Sequence, residues 1–223
     1  MSAVVSYRLV LPPPWVRVPL GEETAERVRA LVERAAEAAP REMPPDQLGP
    51  FKRELERRFM RQFEAAAAHG ALDHYLPAAP VHGIHLGASF FVALARPEGG
   101  DSVDPRELVG GVLAERGSGP DARTVEIDGT VWVRSESTVA PDDDLAPGVD
   151  VGTRRVTYLT AVPGAPGQWI VVSFSSIGDG DPASDLTSIT VELFDAIMST
   201  WRWVREDAAV GAETAATPAG SPR

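Results

Sequence analysis

The chain has 223 residues, 43% of them apolar and 24% charged, with a formal net charge of −11 and a pI near 4.8. That length suits one domain with a sizeable core, and the composition is that of an ordinary globular protein. An acidic surface repels phosphate backbones and anionic lipid, which argues against nucleic-acid and membrane-surface partners, and the absence of cysteine excludes disulfides, thiolate nucleophiles and zinc ribbons.

The opening MSAVVSYRLVLPPPW shows no basic segment leading into a long apolar run, and no stretch of about 18 apolar residues occurs anywhere. Neither a signal peptide nor a membrane-spanning helix is expected, and the chain reads as cytoplasmic. Residues 5–11 (VSYRLVL) and 15–20 (WVRVPL) predict short strands on either side of Pro12-Pro13-Pro14, which cannot donate to a ladder. A helix is predicted over 22–39, with Val28, Leu31, Val32 and Ala35 as its apolar stripe. After the linker at 40–47, a second helix is predicted over 48–69. There Phe51, Leu55, Phe59 and Phe63 recur every fourth residue, a pattern that suits packing on a sheet.

An extended segment at 72–79 and a strand at 84–95 follow, then a short helix over 104–116 with Asp104, Pro105 and Glu107 as its start signals. Residues 123–137 predict a hairpin turning at Asp128-Gly129. The loop at 140–152 leads to strands at 155–163 and 169–177. A last helix is predicted over 182–204, capped by Asp181 and striped by Leu186, Ile189, Leu193, Ile197, Thr200 and Val204. The small-residue tail 206–223 is expected to be disordered. Strands joined by short turns imply an α/β (α+β) domain spanning 1–205, with an antiparallel sheet of about six to eight strands and helices packed on it.

All four histidines fall in HGALDHYLPAAPVHGIH, residues 69–85. His69 precedes Gly70 at a helix end, and His82-Gly83 suits a two-residue turn. That turn pairs Val81 with Ile84 and His74 with Phe91, so no two histidines face each other. A zinc site needs three or four converging ligands, and the nearest carboxylate in sequence is Asp73. His74, His82, His85 and Asp73 remain the ligand, metal or acid-base candidates, without a diagnostic spacing.

Elsewhere no GxSxG, P-loop, GxGxxG, HExxH or EF-hand pattern occurs. Asp142-Asp143-Asp144 and Gly178-Asp179-Gly180-Asp181 carry the oxygens calcium takes, but read as an acidic loop and as a turn with a helix cap. No metal or cofactor is expected. Trp132 and Arg134 share one side of a strand, and an exposed pair of that kind is enriched in protein-binding hot spots, although a core tryptophan is the commoner meaning. Trp201 and Trp203, two apart on a predicted helix, should point to different sides, which would leave Trp203 partly exposed as a further contact.

The string VTYLTAVPGAPGQWIVVSFSS followed by DLTSITVELFDAIMSTWRW resembles the end of Mog1/PsbP-like proteins, where a hairpin of long strands precedes a helix lying across the sheet. The strand WVRVPL fits the same style, and the arginine-rich composition resembles that of actinobacterial proteins of this length. The resemblance implies a binding role as a partner, assembly factor or accessory subunit, and it carries no site residues over. The expected function is therefore a non-catalytic, protein-binding accessory domain. An enzyme or small-ligand binder using the histidine stretch is the alternative, and a homodimer through a sheet edge or the Trp201/Trp203 end is a further arrangement to test.

Overall fold

Period-two alternation builds most of this molecule. In the computed structural model, which describes residues 4–37, 44–81, 83–96, 122–139 and 151–205, the strands are β1 (Val4–Arg8), β2 (Trp15–Pro19), β3 (Ala71–Pro77), β4 (Ala88–Ala95), β5 (Arg123–Ile127), β6 (Thr130–Val139), β7 (Thr153–Ala161), β8 (Trp169–Ser176) and β9 (Arg202–Arg205). The helices are α1 (Thr24–Glu37), α2 (Pro45–Ala68) and α3 (Asp185–Ser199). Seven strands form one antiparallel sheet in the order β2-β3-β4-β8-β7-β6-β5, and β1 pairs with β9 in a separate two-stranded ribbon. The expected α/β class and strand number hold. The predicted helix at 104–116, most of the loop at 140–152 and the tail at 206–223 lie outside the described residues.

A single cross-strand row shows how the sheet is registered. Arg17 pairs with Tyr75, Tyr75 with Phe90, Phe90 with Phe174, Phe174 with Val156, and Val156 with Glu136. Because side chains alternate, everything in that row lies on one face. There α3 packs its Val191, Phe194, Ile197 and Met198 against Phe90, Phe174 and Tyr158, and Tyr7, Trp201 and Trp203 complete the core. The opposite face carries a smaller core. Val18 of β2 meets Val28, Leu31 and Val32 of α1 and Phe63 of α2, with Leu55 and Phe59 half-buried beside them. Phe51, at the start of the predicted stripe, remains exposed.

Local chemistry explains the turns. Asp128 and Gly129 both adopt positive φ, the geometry a two-residue type I′ hairpin needs. Gly70, at φ +86°, closes α2, and a Cβ there would sit 2.6 Å from the Leu94 carbonyl oxygen. Val81 and Ile84 exchange both backbone hydrogen bonds at 2.9 Å, as the two-residue turn requires.

The last helix departs from expectation at both ends. Ser184, not Asp181, is its N-cap, accepting from the Thr187 amide at 3.2 Å. Asp181 instead accepts from the Ala183 amide at 2.8 Å, in the turn that feeds the helix. The buried stripe is Thr187, Thr190, Val191, Phe194, Ile197 and Met198, whereas Ile189 is exposed. The helix stops at Ser199, and the next residues alternate as a strand does. In an extended chain a spacing of two puts Trp201 and Trp203 on the same side, and both are buried.

Candidate functional site

Strand β3 carries two of the candidate residues, Asp73 and His74, and alternation points them to opposite faces. Asp73 lies on the face of α3 and His74 on the face of α1 and α2. They therefore cannot share a site. His69 is exposed, with Nδ1 2.8 Å from the Ala65 carbonyl, and His85 is exposed. His82 lies outside the described residues. Among the described residues no group of three or more histidines and carboxylates could hold a metal ion.

Asp73 is 1% exposed, and burying a carboxylate is costly unless it is paired. Its partners come from far along the chain. Arg17 of β2 donates through Nε to Oδ1 at 2.6 Å and through Nη2 to Oδ2 at 3.0 Å, a bidentate geometry. The Tyr7 hydroxyl of β1 donates to Oδ2 and lies 3.1 Å from the Tyr75 hydroxyl. Burial, together with the charge of Asp73 and the neighbouring Tyr75, pushes the Tyr7 phenol far up. Burial pushes Tyr75 up to about 12. Hydrogen bonding to Asp73 raises the Arg17 guanidinium in turn, so all three stay protonated at any ordinary pH. A cavity of about 830 Å³ opens beside this cluster, lined by Tyr7, Arg17, Leu20, Glu22, Leu72 and Asp73 among others.

His74 has the opposite environment. It is 3% exposed, its ring is stacked on Phe91 with centroids 3.9 Å apart and meets the edge of Phe63 at 4.8 Å, and neither ring nitrogen has a partner. Burial lowers its pKa to about 3, so it is neutral near pH 7. It lines a smaller pocket of about 260 Å³ with Phe59, Gln62, Leu76, Leu86 and Ser89. No carboxylate or nucleophilic partner reaches the imidazole among the described residues.

Trp132 and Arg134 do share one side of β6, but that side is the core. Trp132 is fully buried against Trp201, Trp203 and Tyr158, and Arg134 is 4% exposed. Arg134 Nε donates to Asp195 of α3 at 2.9 Å and its Nη2 lies 2.8 Å from Glu136. Arg154 also holds Glu136, and the Tyr158 hydroxyl donates to Asp195 at 2.8 Å. Burial alone would raise the Glu136 carboxyl, but the two arginines outweigh it and the net direction is down. As a surface anchor the Trp132, Arg134 and Trp203 set is thus corrected: these side chains hold the sheet to α3 and β9.

No protein-family model, no curated protein and no solved structure matches this chain. Along the described residues no helix is long and apolar enough to cross a membrane.

Proposed function

We propose that this chain is a non-catalytic binding domain that acts as an accessory partner of another protein. The observation that carries the reading is that its deep carboxylates are already committed. Asp73 is held by Arg17 and Tyr7, and Glu136 and Asp195 are held by Arg134, Arg154 and Tyr158. Groups matched in this way are held as structure, and these carboxylates are not poised as proton donors or acceptors. For the contact itself we favour the end of the sheet around the His74 pocket. Ile84 (50% exposed) and Ile177 (38% exposed) stand in its turns, and Ile177 lies over Gly87, which lines the pocket. Exposed aliphatic side chains at this end of the sheet, beside a recess with both polar and apolar lining, suit an apolar side chain of a partner.

The test is capture from native lysate with the tagged full chain, read by mass spectrometry and metal analysis together, alongside the double variant Ile84→Glu, Ile177→Glu. One stoichiometric protein that the wild type retains and the folded variant loses supports the reading. Stoichiometric metal or a small molecule in place of a protein favours the alternative, a ligand binder.

A further inference from the structure

The cavity beside Asp73 is built around an arginine that is only half used. Nε and Nη2 of Arg17 are spent on Asp73, and the rest of the guanidinium meets no partner among the described residues. The side chain is 51% exposed and lines the cavity. A guanidinium clamped along one edge by a buried carboxylate keeps its plane, and its free donors remain a fork fit for a second carboxylate.

The remaining lining argues against a simple anion. Glu22 and Glu23, from the turn entering α1, share the cavity with Arg27, which reaches Glu23 at 3.4 Å. With Asp73 included, the carboxylates outnumber the arginines, so a bare anion meets net repulsion while a ligand with both signs finds partners for each. Apolar wall is present as well, from Pro19, Leu20 and Leu72. Leu72 sits where the β3–β4 register shifts, between Ala71 and Asp73, and Ser6 lies at a second shift in the β1–β9 pair. Bulges re-aim side chains next to functional sites, and both of these border the same cavity.

We propose that this cavity binds a small zwitterion of the α-amino-acid class with an apolar side chain. The carboxylate docks on the free fork of Arg17, the ammonium turns toward Glu22 and Glu23, and the side chain rests on Leu20 and Leu72. This site lies at the β2 edge of the sheet, shares no lining residue with the His74 pocket and does not depend on the docking reading above.

The experiment is a titration of the ¹⁵N-labelled full chain, following backbone amides and the Arg17 Nε–H resonance. Three probes are used: L-leucine, L-leucinamide, which lacks the carboxylate, and 4-methylpentanoate, which lacks the ammonium. Saturable shifts at Arg17, Gly21 to Glu23 and Leu72 are expected with leucine, and binding at least about tenfold weaker for each single-charge analogue. The exposed double variant Glu22→Gln, Glu23→Gln should keep the native spectrum and weaken leucine by a similar factor. Absence of saturable shifts with leucine up to ~20 mM overturns the proposal. Equal binding of either analogue, or an unaffected double variant, overturns it too.

Discussion

At the scale of single residues, His74 shows how a polar group can be accommodated without being satisfied. A neutral imidazole sealed between Phe91 and Phe63 gains stacking area but leaves two ring nitrogens without partners. Its pKa falls on folding from 6.5 to about 3, so between these values the unfolded chain binds the extra proton. The contribution of His74 to stability is therefore complete above about pH 6.5 and declines as the pH falls toward 3, by an amount on the order of 5 kcal/mol. His74→Phe should remove this slope. Urea midpoints at pH 7.5, 5.5 and 4 should separate the two proteins increasingly on acidification, and parallel curves would contradict the account. Trp132→Ala, by contrast, should cost about 3–5 kcal/mol at every pH, because it empties the centre of a cluster of tryptophans. A variant that unfolds at the wild-type urea concentration would return Trp132 to the surface. The pairing of His74 with Phe91 was legible in the sequence, since a turn at His82-Gly83 counts the register by itself. The clamp on Asp73 was not: its partners lie 56 and 66 residues away, and no local pattern joins them.

Elements were legible wherever one signal acted alone. The Asp128-Gly129 turn, the α2 stripe ending at Phe63 and the closing Gly70 needed only local rules. Helix α3 was harder because several signals compete. Asp181-Pro182 and Ser184 both offer helix starts, and apolar residues at 186, 189, 191, 193, 194, 197 and 198 suit more than one face. Tertiary fit chooses the face of Phe194 and Met198, and Trp201-Arg202-Trp203 then returns to period two. Ser184→Ala should destabilise the protein by about 1 kcal/mol through loss of the cap, with thermal unfolding as the measurement. Gly70→Ala should cost more, since positive φ and the Leu94 carbonyl both oppose a Cβ; a change under about 0.5 kcal/mol would show that this corner relaxes freely.

For the whole molecule, the sheet order was the part that sequence could not supply. Hairpins predict neighbours such as β3–β4 and β7–β8, but the central β4–β8 pair joins strands with three others between them in the chain. The same order leaves β2 and β5 at the edges, and each is blunted. Prolines stand before and at the end of β2, and the short β5 exposes Arg123, Thr124 and Glu126. Such edges resist pairing with a second copy, and the Trp201/Trp203 end is buried. Arg123→Val with Glu126→Val should therefore promote self-association visible by sedimentation, while an unchanged sedimentation profile would mean that β5 is shielded in some other way.

The β1–β9 ribbon has a consequence for how the chain is made. Val4 pairs with Arg205, and the Tyr7 ring lies on Trp201 with centroids 4.2 Å apart. Strand β1 thus has no partner in this ribbon until β9 has been synthesised. Tyr7 also reaches Asp73, so the hydrogen bonds around that carboxylate, and the cavity they shape, are complete only when translation has passed residue 205.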